Sequence, residues 1–233
     1  MSTFEQLGLS SETLQAIYKL GFEEPTPIQE KAIPLALAGA DVIGQAPTGT
    51  GKTAAFGLPI IEGASTNQEH IQGLVVVPTR ELAIQVAEEL NKIGEYKRVH
   101  TLPIYGGQDM MRQIKLLKKR PQIVVGTPGR LMDHMRRRTI RLQNISIVVL
   151  DEADEMLNMG FVDDIQYILG DMPAERQTLL FSASITKAVE SIAKQFMQEP
   201  TMIQATPRNI TVPSTEQHYI EVPERKKFDI LCN

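Results

Sequence analysis

Ala46-Pro47-Thr48-Gly49-Thr50-Gly51-Lys52-Thr53 and, further along the chain, Asp151-Glu152-Ala153-Asp154 directly after the apolar run Ile147-Val148-Val149-Leu150 are the two stretches on which the fold turns. The first is a glycine-containing loop ending in Lys-Thr. Such a loop can wrap its backbone N–H groups around a polyphosphate while the lysine and the hydroxyl reach the terminal phosphates and a metal. The second sets carboxylates at the end of a buried strand, where one can hold Mg²⁺ and the other can direct a water. Each has a plainer reading. Gly49 to Thr53 can be a turn that opens a helix, and Asp151 can be a helix cap after a strand. The pair, each member at the end of a β-like run, is far more specific than either alone and points to a nucleoside triphosphate site. The loop carries Ala46 where the general pattern has glycine, so Ala46 must keep an ordinary backbone conformation.

Working outward, apolar β-branched runs recur at Leu74 to Val77, Val99 to Ile104, Ile123 to Val125, Ile145 to Leu150 and Thr178 to Phe181. Helical patterns lie between them, for example Leu82, Val86, Leu90 and Ile93 on one stripe. Short, nearly continuous apolar strands alternating with helices predict an α/β fold with a central parallel sheet and helices on both faces. Ligands of such sheets sit beyond the carboxyl ends of the strands, where the phosphate loop, Asp151 and Ser182 all emerge. Ahead of the sheet, Ser10 to Leu20 reads as a capped amphipathic helix. Pro25-Thr26-Pro27 then breaks the chain and Ile28 to Leu37 resumes a helix.

Composition narrows the classes. The 233 residues are 42% hydrophobic and 22% charged, as in an average soluble domain, and a chain of this length can bury roughly 70–75% of its extended surface. No apolar run is long enough to span a bilayer and no leader is evident, so a cytoplasmic protein with no membrane partner is expected. Cys232 is the lone cysteine, which excludes an internal disulfide, and His70, His100, His134 and His218 have no metal-ligand spacing and read as surface or satisfied histidines. A net charge of −4 and a pI near 5.7 argue against nucleic-acid binding by bulk electrostatics, so any such contact is local. The basic clusters at 118–120, 136–138 and 225–227 read as solvated helix faces.

Several segments together match one family: Gly21-Phe22-Glu23-Glu24-Pro25-Thr26-Pro27-Ile28-Gln29, the loop at 46–53, Pro78-Thr79-Arg80-Glu81-Leu82, Gly106-Gly107, Thr127-Pro128-Gly129-Arg130, and Asp151 to Asp154. In order and spacing, from Phe4 to about Ala205, the chain resembles the N-terminal RecA-like domain of a DEAD-box RNA helicase, closest to the bacterial cold-shock-associated members. The resemblance implies a RecA-like P-loop domain over residues 1–206, a linker over 207–216 and the start of a truncated second RecA-like domain over 217–233.

It also implies site roles. Gln29, with an amide donor and acceptor suited to the adenine edge, would act with Thr26 and the upstream aromatic Phe4; Phe22 would either join them or be plain core. Ala46, Thr48, Gly49, Thr50 and Gly51 would form the loop around ATP, Lys52 would neutralise the β and γ phosphates, and Thr53 and Asp151 would hold Mg²⁺. Glu152 would orient and deprotonate the attacking water, while Asp154, Ser182 and Ser184 would couple the site to strand separation. Ser184 stands where the family usually has threonine, so the hydroxyl is kept and a methyl is lost.

Pro78, Thr79, Arg80, Gly106, Gly107, Thr127, Gly129 and Arg130 would contact an RNA backbone without reading bases. The plainer reading of Pro128-Gly129 is a type II turn, and of Ser184 or Thr186 a helix cap. The expected function is the N-terminal half of an ATP-dependent RNA helicase that unwinds RNA together with a second RecA-like domain, with little turnover on its own. The alternatives are an ATP-dependent RNA clamp or scaffold, and a DNA-directed helicase.

Overall fold

The computed structural model describes residues 3–205 and the isolated positions 222, 223, 226, 227 and 230. The expected linker and second unit therefore lie, apart from those positions, outside the described residues. Seven strands pair in parallel in the order β3-β4-β2-β5-β6-β1-β7. They are β1 Val42–Gln45, β2 Gly73–Val76, β3 Thr101–Ile104, β4 Ile123–Gly126, β5 Ile147–Leu150, β6 Gln177–Ser182 and β7 Thr201–Gln204. The helices are α1 Ser11–Lys19, α2 Pro27–Leu37, α3 Lys52–Gly63, α4 Arg80–Ile93, α5 Met110–Leu117, α6 Pro128–Arg136, α7 Ala153–Asn158, α8 Val162–Gly170 and α9 Lys187–Phe196.

The period of two along each strand divides the core. Val75, Val125, Val149, Leu179 and Phe181 face one way and pack with residues of α2, α3 and α4. Leu74, Val124, Val148 and Leu180 face the other way and pack with residues of α6, α7, α8 and α9. Helices thus cover both faces, as the alternating pattern predicts. β1 and β7 were not among the recognisable apolar runs. β1 carries Gly44 and Gln45 within four residues, and β7 reads Thr-Met-Ile-Gln with one buried position. Their strand character comes from pairing: Val42 to Gln45 lie opposite Leu179 to Ser182 on one side and Thr201 to Gln204 on the other.

The β3 edge is blunted. The backbone N–H of Thr101 donates to the Asn91 side chain at 2.9 Å and its carbonyl accepts from the Asn91 amide at 2.8 Å. Pro103, next on that side, has no N–H to offer a further strand.

The N-terminal preface is tied to α3. Ser10 caps α1, and its backbone N–H and hydroxyl both donate to Glu62 Oε1 at 2.9 and 2.8 Å. Lys97 donates to the other Glu62 oxygen at 2.7 Å. α2 begins with Thr26 as N-cap and Pro27 in its first turn, where a missing N–H costs nothing.

The strand order also sorts the motifs. Pro78 to Arg80, Gly106-Gly107 and Thr127 to Arg130 follow β2, β3 and β4, which are neighbours on one half of the sheet. The phosphate loop, Asp151 to Asp154 and Ser182 to Ser184 follow β1, β5 and β6, which are neighbours on the other half.

Candidate nucleotide cleft and the adjoining groove

On the β1, β5, β6 half, Thr48, Gly49, Gly51, Lys52, Thr53, Asp151 and Glu152 line one cleft of about 420 Å³. Gly49 and Gly51 have φ of +79° and +88°, which turns the loop into the start of α3. At Gly51 a Cβ would also run into the Gln29 amide and the Thr26 hydroxyl, so glycine is required there twice over. Thr50 closes the loop by donating to the Pro47 carbonyl at 2.7 Å. Ala46 is buried, its N–H donates to the Ser182 carbonyl at 3.0 Å, and it is not among the positive-φ residues, so alanine fits where the general motif has glycine.

Lys52 is 7% exposed, and its ammonium has no hydrogen-bond partner. A buried cation left without an acceptor is costly, and the cleft it faces is open to an anionic ligand. Among the described residues four buried side-chain polar atoms lack a partner, and two of them, Lys52 Nζ and Thr26 Oγ1, flank this loop. Asp151, at the end of β5, is buried, and burial pushes its carboxyl up to about 6; Lys52 pulls it back, while Glu152 and Glu89 push it further up. Its Oδ1 accepts the Glu152 N–H at 3.0 Å. Glu152 itself sits at φ 51°, ψ 48°, a left-handed conformation uncommon outside glycine and worth about 1–3 kcal/mol of strain. That conformation turns the chain from β5 into α7 and leaves the Glu152 side chain on the cleft wall.

Gln29 is nearly fully buried. Its Oε1 accepts the Thr26 N–H at 3.0 Å and its Nε2 donates to the Gly51 carbonyl at 3.1 Å, which leaves one N–H and one lone pair of the amide uncommitted. The expectation for Phe4 needs correction. Its ring is 0% exposed inside the core and meets Phe22 edge-on, with centroids 6.0 Å apart, so it offers no surface to a ligand and instead backs the half-buried Phe22. Phe4 belongs to the core cluster that also holds Ile28, Ala32 and Ile33 of α2.

Asp154 turns its carboxylate toward the segment after β6. Oδ2 accepts the Ser184 N–H at 2.9 Å and the Ser184 hydroxyl at 2.7 Å, while Ser182 Oγ accepts the Asp154 N–H at 3.2 Å and donates to the Ser184 carbonyl at 2.8 Å. Partial burial raises the Asp154 carboxyl, but the hydrogen bonds from Ser184 and Ser182 outweigh it and hold the group below the usual range. Ser184 is therefore no helix cap; Thr186 caps α9.

On the other half of the sheet, Pro78, Arg80, Gly106, Thr127, Gly129 and Arg130 line a groove of about 550 Å³. Thr79 is not on its wall: its hydroxyl caps α4 by accepting the Leu82 N–H at 3.2 Å. Gly107 lies beside the Arg80 guanidinium, which itself stacks over the Tyr105 ring at 5.1 Å. Pro128 and Gly129 are the first residues of α6 rather than a type II turn, since Pro128 occupies the first turn and Gly129 has no positive φ. Arg130 differs from expectation. Its side chain is 12% exposed and turned inward, with Nη1 donating to the Gln108 carbonyl at 2.9 Å and to Gln113 Oε1 at 3.1 Å. Its Nη1 is committed to protein partners, and exposed Arg80 and Arg136 share the groove wall with it.

Several lining residues had no motif to announce them. Gln85 and Glu89 of α4 reach the cleft that Thr53 also lines, and burial raises the Glu89 carboxyl. Their spacing of four on the helix that starts at Thr79-Arg80 was visible, but not which cleft that face would meet. Arg136, Asp133, Phe161 and Asp164 join the groove; Arg136 belonged to a cluster read as a solvated helix face.

The fold and the two sites define the class, and the chain belongs to the DEAD/DEAH box helicase family, whose pattern matches residues 26–192. It is 61% identical over 231 residues to the DEAD-box ATP-dependent RNA helicase CshA of Geobacillus kaustophilus, covering 99% of this chain and 50% of that protein. It is 59% identical to the CshA of Bacillus subtilis, covering 98% of this chain and 46% of that protein. The chain thus spans about half the length of the curated relatives it matches. Among solved structures it superposes on a DEAD box protein from the hyperthermophile Methanococcus jannaschii with a TM-score of 0.85 at 44% identity, covering 99% of this chain and 62% of that one. A hypothetical ATP-dependent RNA helicase from Sulfolobus tokodaii follows, with a TM-score of 0.79 at 41% identity over 84% of this chain and 57% of that one. No helix among the described residues is long and apolar enough to cross a membrane.

Proposed function

We propose that this chain is the ATP-binding and RNA-contacting half of a cytoplasmic ATP-dependent RNA helicase, and that it needs a second RecA-like domain for turnover. The observation that carries this reading is the buried, unpartnered Lys52 ammonium, which lies in one cleft with Gly49, Gly51, Thr53 and Asp151. A polyphosphate supplies the acceptor that Lys52 lacks. Thr53 and Asp151 would hold Mg²⁺, which when bound neutralises phosphate charge. Glu152 would orient and deprotonate the water that attacks the terminal phosphate. Gln29 would use its uncommitted amide groups on the adenine edge, with Thr26 beside it and the half-buried Phe22, backed by Phe4, joining them.

Among the described residues, the cleft lining includes no arginine. Charge developing on a transferred phosphoryl group is normally met by a guanidinium from a partner element, so the isolated chain binds ATP and hydrolyses it poorly. The groove on the neighbouring half of the sheet would take an RNA backbone through the Gly106 turn, the N-terminus of α6, and Arg80. Backbone N–H contacts carry no base identity, so binding would be independent of sequence, and preference for RNA over DNA would depend on 2′-hydroxyls.

Calorimetric titration with Mg·ATP and Mg·GTP, on the wild-type chain and on Lys52→Ala, tests the nucleotide reading. The expected result is selective ATP binding that weakens by at least about 100-fold in the variant, a loss of roughly 2.7 kcal/mol. Equal binding of both nucleotides removes the Gln29 role, and unchanged binding by the variant removes the phosphate-loop reading.

A further inference from the structure

Beneath the groove lies a buried polar network centred on Gln113 of α5, a residue that no motif marks. Gln113 is 0% exposed, and all four hydrogen-bonding positions of its amide are filled. Nε2 donates to the Tyr105 carbonyl at 3.0 Å and to Gln108 Oε1 at 3.0 Å. Oε1 accepts from Arg130 Nη1 at 3.1 Å and lies 2.9 Å from His134 Nε2, which fixes that nitrogen as the protonated one. The same Arg130 nitrogen donates to the Gln108 carbonyl at 2.9 Å, and His134 Nδ1 is closed off by Thr139 Oγ1 at 2.8 Å. One side chain thus joins the turn containing Gly106-Gly107 to the first two turns of α6.

The geometry has a consequence for the groove. In a trans peptide the carbonyl and the next N–H point in opposite directions, and the described residues have no cis bonds. Gln113 holds the Tyr105 carbonyl inward, so the Gly106 N–H must face away from the network, on the side where Gly106 lines the groove. Glycine alone would leave that peptide plane free to rotate. A saturated buried amide fixes it, because flipping the plane would strand a buried donor of Gln113.

We propose that Gln113 is a positioning residue for nucleic-acid binding: by anchoring Tyr105 and Arg130 together it presents the Gly106 N–H to a phosphate and sets its spacing from the α6 N-terminus. This rests on the RNA reading above. A residue that only filled the core would lower stability without separating RNA binding from nucleotide binding.

The test is made on the 233-residue chain. Wild type, Gln113→Leu and Gln113→Glu are compared for fluorescent oligouridine binding by anisotropy, for Mg·ATP affinity by calorimetry and for thermal midpoint. Gln113→Glu keeps acceptors toward Arg130 and His134 but loses both donors to the turn. Each variant is expected to bind oligouridine at least about five-fold more weakly while ATP affinity stays within about two-fold, as loss of one aligned donor predicts. In wild type, the Gly106 amide resonance should shift on oligouridine addition. RNA affinity that is unchanged, or that falls only in step with ATP affinity, overturns the proposal. So does a Gly106 resonance that stays put while other groove resonances move, a result that needs no variant to fold. A wild-type chain that binds Mg·ATP but no oligouridine at any concentration overturns the RNA reading itself, and this proposal with it.

Discussion

Asp154 Oδ2 takes both the backbone N–H and the hydroxyl of Ser184, at 2.9 and 2.7 Å. The family's usual threonine would supply the same two donors, so the contact between α7 and the segment after β6 does not depend on the missing methyl. Ser184→Thr should leave the thermal midpoint and Mg·ATP affinity unchanged, whereas Ser184→Ala should cost about 1 kcal/mol in urea unfolding, the worth of one hydrogen bond to a charged acceptor partly exposed to water. Equal losses in the two variants would show that side-chain volume, not the hydroxyl, matters at this position.

If Asp151 holds the cation as proposed, it should set a pH limit on nucleotide binding. Burial raises its carboxyl to about 6, so below that pH the folded chain carries it protonated and it cannot serve a cation. Because the folded-state value lies above the ordinary one, the free protein loses stability as pH rises from about 4 to 6, while Mg²⁺-dependent ATP affinity moves the other way and grows over the upper end of that range. Calorimetry at pH 5 and pH 7.5 should therefore show ATP binding at least about five-fold tighter at the higher pH. Glu89 adds to the upward push on Asp151, so Glu89→Gln should move the midpoint of this pH dependence downward; a midpoint that does not move would separate Glu89 from Asp151.

His134 gives a second pH signature of opposite sense. Burial, reinforced by Arg130 and Arg137, lowers its imidazole to about 4. The unfolded chain takes up that proton first, so the stabilisation is whole above about 6.5 and is lost as pH falls toward 4. The expected contribution is on the order of 2 kcal/mol, read as the difference between wild type and His134→Gln in denaturant midpoints from pH 7 to pH 4.5. Parallel curves for the two proteins would rule it out.

Glu62 fastens the N-terminal preface to the helix that begins with Lys52. Its carboxylate accepts from Ser10 and Lys97, and the Lys97–Glu62 pair is mostly buried on both sides. Glu62→Ala should cost about 2–3 kcal/mol, since it strands a half-buried ammonium and two donors of the α1 cap, and Glu62→Gln should cost less. Hydrogen exchange of the segment 10–20 reports detachment directly: it should speed up in Glu62→Ala well before global unfolding.

The local chemistry was legible because it is written in consecutive residues. Gly49, Gly51 and Lys52 announce a phosphate loop through backbone freedom and charge, and the run Ile147 to Leu150 announces a fully buried strand that delivers Asp151 to its end. What pairs across the sheet was not legible. β1 and β7 have too few apolar residues to stand out, and the hydrogen bonds of their neighbours make them strands. Burial also reassigned side chains whose types suggested ligand contact: Phe4 sank into the core behind Phe22, and Arg130 turned inward to hold Gln108 and Gln113. Glu89 reaches the cleft that Thr53 also lines, and Gln113 is held by Arg130 and His134, 17 and 21 positions further along the chain. The sequence by itself determined which segments carry the glycine-lysine loop and the carboxylate motif, since spacing within a loop or along one strand is a local property. Only the tertiary structure decided that strand order gathers those segments into two adjoining sites, and which side chains face them. That outcome depends on long-range pairing and packing, which no window of consecutive residues encodes.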